Sequence, residues 1–291
     1  MTIKAAVTGA SGFLGFHLVK KLSSLYHTTG FYHRNPVEFH AAETATLQVN
    51  KYREVENMMK KLRPDIIFHL ASISNPNQCE KNPGESYEIN VTGTKNIVAV
   101  AKKIGAEVIF TSTDLVFNGT KAPYSEEDTP EPVNRYGQQK LEAEKTVLDY
   151  DKGKVVRLPL MFGPKSPHSG SFLQPMINFL RANSKVTLFE DEFRTPISLN
   201  KAADALLFIA SNDSKLLHVS CDQRISRYDL GIKIADYLGL DKNLIIKAKQ
   251  KDFHFPATRP SDTSLNIEKA KSLGFNPCAL HDELTWVLDY I

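Results

Sequence analysis

Ile3-Lys4-Ala5-Ala6-Val7-Thr8-Gly9-Ala10-Ser11-Gly12-Phe13-Leu14-Gly15 is the stretch whose reading decides the fold. Ile3–Val7 is a short apolar run, and a helical pattern follows it. Phe13, Leu14, His17, Leu18, Lys21, Leu22 and Leu25 recur with spacings of three and four. Strand, glycine turn and helix, in that order, form the context that a dinucleotide fingerprint requires. Gly9 suits a tight turn, Gly12 lets backbone approach a pyrophosphate, and Gly15 lets the helix press on the sheet. Ser11, Phe13 and Leu14 lie between these glycines and belong to the same expected cofactor loop. The phosphates are expected at the helix N-terminus, where free N–H groups and the helix dipole favour negative charge.

Working outward, strands are expected near Ile3–Val7, Thr29–His33, Thr46–Val49, Asp65–Ala71, Glu107–Thr111 and Lys154–Leu158. Helices are expected between them at Tyr52–Leu62, Pro83–Ile104 and Asn134–Tyr150. Asn82 before Pro83 reads as a helix start, because proline at the first helical position loses no hydrogen bond. Repeated strand–helix units predict an α/β fold with a doubly wound parallel sheet of Rossmann type and a ligand at the C-terminal strand edge. After Leu160 the alternation breaks at Pro164, Pro167, Gly170, Pro175 and Pro196. Helices are expected near Phe172–Ala182 and Asn200–Ala210, and a strand near Leu216–Ser220. Ser226 and Asp229 suggest a capping pair for a helix running to Leu238. Residues 1–160 thus read as the cofactor domain, with the sheet completed by parts of 190–225. Residues 161–291 read mainly as a smaller, partly discontinuous α/β cap that binds substrate.

Chemistry enters with Tyr136-Gly137-Gln138-Gln139-Lys140 and with Ser112-Thr113-Asp114 upstream. On a helix Tyr136 and Lys140 share a face, one turn apart. A phenol with a pKa of about 10 is a poor acid or base at neutral pH, and a nearby ammonium is expected to pull it down. Thr113 is expected to hydrogen-bond the substrate oxygen. At the end of the second strand stand His33 and Arg34, and no acid follows until Glu38. An acid there grips the ribose hydroxyls of NAD. A guanidinium instead takes the 2′-phosphate of NADPH. The expected cofactor is NADPH/NADP+, with NADH still open.

These residues together resemble the extended short-chain dehydrogenase/reductases over nearly the whole chain. Ser112–Gly119, Pro123-Tyr124, Glu126–Asp128, Pro132, Asn134, Tyr136-Gly137, Arg194–Ile197 and Arg259–Leu265 resemble the dTDP-4-dehydrorhamnose reductase family. The resemblance implies Thr113, Tyr136 and Lys140 as the catalytic trio. It implies that Leu70, Ala71 and Ser72 lie along the cofactor, with Leu158 beside them, and that Asn50 stands where the family more often has Asp near the adenine. Asn90 matches a position that orders the active site. Asp114, Phe162, Arg194 and Arg259 are expected to bind substrate, the arginines facing the diphosphate of a nucleotide sugar. Dehydratases of the superfamily carry Asp-Glu after the threonine; here Leu115 follows Asp114, which favours reduction of a ketone. Leu115 and Leu160 depart from the aromatic residues that the family more often shows. Arg157-Leu158-Pro159-Leu160-Met161-Phe162-Gly163 is closer to the regulatory β subunit of methionine adenosyltransferase. A non-catalytic cofactor-binding subunit is therefore the alternative, and a nucleotide-sugar epimerase a further one. The superfamily also implies a homodimer.

Composition bounds the rest. A chain of 291 residues, 42% hydrophobic, can bury a full core. A net charge of +3 gives no nucleic-acid or membrane footprint. Without a spanning apolar run or a leader pattern, a cytoplasmic location is expected. Cys79, Cys221 and Cys278 have no metal or redox spacing and the nine histidines do not cluster, so no metal site is expected.

Overall fold

The computed structural model describes residues 2–277 and 279–288, so Cys278 lies outside the described residues. The first half runs β1 (Lys4–Thr8), α1 (Phe13–Leu22), β2 (His27–Tyr32), β3 (Glu43–Thr46), α2 (Tyr52–Leu62) and β4 (Ile66–His69). It continues with α3 (Pro76–Lys81), α4 (Pro83–Tyr87), α5 (Gly93–Ile104), β5 (Glu107–Thr113), α6 (Arg135–Leu148) and β6 (Gly153–Leu158). These six strands and a short strand, Leu216–His218, form one parallel sheet. Its order is Leu216–His218, β6, β5, β4, β1, β2, β3. Strand order reverses between β1 and β4, where open α/β sheets form a crevice beyond the strand ends.

Alternation along the strands explains why helices cover both faces. Ala5, Val7, Ile66, Phe68, Ile109 and Val156 join one core with α1 and the helix Leu199–Ala210. Ala6, Ile67, Val108, Phe110 and Val155 point the other way, into a core shared with α2, α5 and α6. Successive side chains of a strand face opposite sides, and here both sides are apolar. A third core, around Phe162, Leu173, Met176, Ile177, Leu230 and Ile234, builds the smaller C-terminal cap. Within it Ser226 caps the helix Arg227–Tyr237 by accepting from Asp229 N at 2.9 Å, as the sequence predicts.

Two expectations change. The third strand forms at Glu43–Thr46, because Leu47 and Val49 bury their side chains in the second core beyond the ladder. The helix expected over Pro83–Ile104 is interrupted at Glu88–Thr92 by a turn of π-helix, and α3 precedes it. Pro83 does open α4, but Asn82 gives no side-chain cap; Asn75 caps α3 instead, accepting from Gln78 N at 3.1 Å. Asn134 caps α6 in the same way through Gly137 N at 2.9 Å, so that helix starts at Arg135.

One buried ion pair joins α6 to the sheet. Arg157 on β6 donates to both carboxylate oxygens of Glu144, Nε to Oε1 at 2.9 Å and Nη2 to Oε2 at 2.7 Å. Its Nη1 lies 3.1 Å from Nε2 of His218 on the edge strand. The pair is closed to solvent, at 3% and 1% side-chain exposure. Removing one partner strands the other charge without water or counter-ion. Glu144→Ala should therefore lower unfolding free energy by about 3–5 kcal/mol in urea titration; a loss below about 1 kcal/mol would contradict this role.

Candidate functional site

The site begins at the glycine turn. Gly9 has φ +75, in the left-handed region, and a Cβ there would stand 2.8 Å from Ala71 N. A Cβ on Gly15 would stand 2.0 Å from Gly9 O, so α1 rests directly on the turn. Gly12 caps α1 without offering a side chain. The first N–H groups of the helix thus have no side-chain acceptor, which fits an anionic group such as a pyrophosphate.

A cleft of about 430 Å³ opens above this turn. Gly9, Gly12, Phe13, Leu14 and Gly15 line it on one side, and Thr113, Tyr136, Lys140 and Leu158 on the other. The structure therefore brings the two sequence signals together. β5 delivers Thr113 at its C-terminal end, while α6 presents Tyr136 and Lys140 one turn apart.

The electrostatics correct one expectation. Burial raises the Tyr136 phenol above its usual range, and Cys79 and Asp114 add to the rise; hydrogen bonding with the Ser72 and Thr113 side chains opposes it. Burial also lowers Lys140 to about 7, with Glu144 opposing. The Lys140 ammonium sits 3.9 Å from the centroid of the Phe110 ring. Desolvation sets the direction of both shifts, because both side chains are buried in the cleft wall. Tyr136 is held as the protonated acid.

A continuous polar chain ties the turn to α6. Thr8 Oγ1 accepts from Leu70 N and Ala71 N, both at 3.2 Å, and so donates to His69 Nδ1 at 2.7 Å. Thr94 Oγ1 donates to Asn90 O at 2.7 Å and therefore accepts from His69 Nε2 at 3.1 Å. The ring is thus neutral, with its proton on Nε2, and burial lowers its pKa to about 3. Asn90, in the π turn, accepts from Ile73 N at 2.8 Å and from Ser72 Oγ at 3.0 Å. It donates to Ile73 O at 3.0 Å and to Gln139 Oε1 at 2.8 Å. Gln139 belongs to α6, between Tyr136 and Lys140.

A second cleft, of about 280 Å³, adjoins the turn on the side of β2. Ser11, His33, Arg34, Leu70, Ala71 and Ser72 line it. Arg34 is 74% exposed and pairs with Glu85 at 3.3 Å, leaving its guanidinium at the rim. Asn50 lies in the turn before α2 and lines neither cleft, because the strand before it ends at Thr46.

At the opposite end the expected substrate residues divide. Arg194 lines the first cleft, and Arg259 lines an adjoining cavity of about 200 Å³ that Arg194 also reaches. Asp114 lines the first cleft, but its oxygens are engaged by Thr113 at 3.1 Å, Thr263 at 2.6 Å and Arg194 at 3.3 Å. It anchors Arg194. Phe162 faces neither cavity: it is fully buried in the cap core against Leu173 and Met176, since β-pairing of Met161–Phe162 with Ile197–Ser198 turns it inward. Leu115 and Leu160 both line the first cleft, as the departures from aromatic residues suggest. Ser112 and Glu192 are among the lining residues that were not anticipated. Ser112 Oγ is buried there without a hydrogen-bond partner, and Glu192 lines both cavities. Ser112 directly precedes Thr113, a signal available from the sequence; Glu192 carries none. Among the described residues no group of three His, Cys, Asp or Glu side chains is placed to hold a metal, and no helix is long and apolar enough to cross a membrane.

A parallel sheet with a glycine turn at its switch point, and Thr113, Tyr136 and Lys140 lining the same cleft as that turn, defines a Rossmann-type α/β fold. A family profile described as the RmlD substrate binding domain matches residues 3–291, and the chain belongs to that family. It is similar to methionine adenosyltransferase 2 subunit beta of Mus musculus, 29% identical over 93% of this chain and 82% of that protein. It is also 30% identical to the probable low-salt glycan biosynthesis reductase of Haloferax volcanii, over 96% of this chain and 95% of that protein. A dTDP-4-dehydrorhamnose reductase structure from Clostridium acetobutylicum superposes with a TM-score of 0.86 at 26% identity, covering 99% of each chain.

Two buried histidines make stability depend on acid. His69 and His218 are both lowered by burial, from 6.5 to about 3. Between those values the unfolded chain binds a proton that the native chain does not, so stability falls as pH drops below about 6.5. Lys140, lowered to about 7, adds a small loss in the same direction close to pH 7 and is protonated in both states below about pH 6. The unfolding free energy from urea titration should drop from pH 7 to pH 5 by about 2 kcal/mol per histidine, with the midpoint falling accordingly. An unchanged midpoint would show that the rings are not held neutral.

Proposed function

We propose that this chain reduces a ketone, the 4-keto group of a nucleotide-linked deoxysugar, with NADPH as the reductant. The observation that carries the reading is that Thr113, Tyr136 and Lys140 line the same cleft as the Gly9–Gly15 turn. The turn and the uncapped start of α1 fit the pyrophosphate, and Arg34 at the rim of the second cleft fits the 2′-phosphate. When bound, the nicotinamide supplies the hydride that goes to the carbonyl carbon.

The remaining steps belong to the protein. Thr113 Oγ1 positions the carbonyl oxygen. Tyr136, kept protonated by its burial, transfers its proton to that oxygen as negative charge develops there. Lys140, near neutrality in its own titration, supplies positive charge to stabilise the phenolate and steadies the nicotinamide ribose. Leu115 and Leu160 give the sugar a more apolar wall, and Arg194 and Arg259 meet the diphosphate. In this reading residues 1–160 hold the cofactor and residues 161–291 mainly the substrate. The carbohydrate-reductase names among the relatives support the reading.

One observation favours a second reading, a cofactor-binding regulatory subunit without turnover. Arg194 is already engaged by Asp114 and Glu192, and the relatives include methionine adenosyltransferase 2 subunit beta. NADPH oxidation with a dTDP-4-keto-6-deoxy sugar separates the two. Turnover should occur and should fall at least about 100-fold in Tyr136→Phe, with NADPH binding retained. The same slow background in both proteins would favour the regulatory subunit.

A further inference from the structure

Glu192 stands at the centre of three arginines, and its contacts are unlike those of the other buried acid–arginine pair. Arg194 Nη2 lies 3.5 Å from its Oε1, Arg227 Nε 3.9 Å from the same atom, and Arg259 Nη1 3.7 Å from Oε2. Charge-assisted contacts of arginine with carboxylate close to about 2.7–2.9 Å when they are made for structure. Arg157 and Glu144 do so in this molecule, at 2.7 and 2.9 Å. Around Glu192 the distances are up to an ångström or so longer, and two atoms, Glu192 Oε2 and Arg227 Nη1, are buried with no hydrogen-bond partner. Glu192 is nonetheless 8% exposed.

The two pairs also differ in place. Arg157 and Glu144 line none of the cavities described above, whereas Glu192 and Arg194 line both the 430 Å³ cleft and the 200 Å³ cavity, and Arg259 lines the latter. Arg227 lines neither; it stands behind Glu192, with its guanidinium 4.1 Å from the Phe172 ring and its backbone N–H donating to Glu192 O at 2.9 Å. Two carboxylates, Asp114 and Glu192, face three guanidinium groups. Asp114 is held by the Thr113 and Thr263 hydroxyls, one on each oxygen, with Arg194 at 3.3 Å, whereas Oε2 of Glu192 has no hydrogen-bond partner. Of the two acids, Glu192 is the one that an incoming anion can displace.

We propose that Glu192 is a built-in competitor for the anionic end of the ligand, a counter-ion that a nucleoside diphosphate must displace to reach Arg194 and Arg259. The proposal rests on the nucleotide-sugar reading of the site and adds to it a residue that sets affinity and charge selectivity. With Glu192 in place the cluster offers one net positive charge; with it displaced, two, which match the charge of a diphosphate bridge. Arg227 supplies the fixed positive charge that holds Glu192 while the site awaits ligand.

Titration calorimetry with dTDP at low ionic strength tests this on the full chain without needing turnover, so it is read separately from the reductase assay. Glu192→Gln, which keeps the shape and removes the competing charge, should bind dTDP about tenfold or more tighter. Glu192→Asp, whose shorter carboxylate reaches fewer arginines, should fall between the two. Thermal unfolding of each variant establishes that it is folded, and the aspartate variant carries the comparison if the glutamine variant is not. Equal affinity in all folded forms, including no binding in any of them, overturns the proposal. Weaker binding by Glu192→Gln overturns it as well, because Glu192 then accepts a hydrogen bond from the ligand instead of competing with it.

Discussion

His69 bridges Thr8 and Thr94 from the end of β4, and it can do so only as a neutral ring with its proton on Nε2. Thr8 is the last residue of β1, immediately before the glycine turn, while Thr94 leads through the Asn90 carbonyl to the loop after β4. Register makes the bridge available: Thr8 and His69 pair directly across the parallel ladder between β1 and β4. That is where strand order reverses and the crevice opens. The position of the turn relative to α6 therefore depends on a few buried hydrogen bonds more than on apolar contact alone. A fully satisfied buried polar chain rigidifies what it joins, and an unpaired member in the low-dielectric interior is costly.

The same burial that gives this chain its strength sets the chemistry of the cleft. Tyr136 and Lys140 are both pushed toward their neutral forms, the phenol upward and the ammonium downward. A protonated phenol beside a lysine that titrates near neutrality is suited to giving up a proton to a developing alkoxide. The burial of Tyr136 and Lys140, with the Phe110 ring against the ammonium, holds this state ready. Farther along the cleft the charges are numerous and loosely paired, as around Glu192. A tight, dry proton site next to a looser ionic site is a sensible division for a ligand with a reactive ring at one end and phosphates at the other.

The sequence made a good part of this legible, where the information is local. Gly9 and Gly15 encode a turn that only glycine fits, and a spacing of four sets Tyr136 and Lys140 on one helix face. The alternating apolar residues of β1, β4 and β5 announce a sheet buried on both sides. What could not be read depends on partners distant in the chain. The π turn around Asn90 exists because Ile73 and Gln139 receive its amide. Phe162 looks like a pocket residue in its motif but turns into the cap core through pairing with Ile197–Ser198. Asn50 missed the clefts because the third strand forms three residues earlier than its apolar run suggests. The shift at Tyr136 needed its burial, which one-turn spacing from Lys140 does not contain. Glu192 gains meaning only when residues 194, 227 and 259 meet around it.

A crystal structure of the chain with NADP+ tests the central claim most directly. The account predicts the pyrophosphate against the N–H groups of Gly12–Gly15, and the nicotinamide ring within van der Waals reach of Tyr136 and Lys140, with Thr113 lining the remaining space. A cofactor seated elsewhere, or a nicotinamide turned away from Tyr136 while the pyrophosphate sits at the turn, would contradict it.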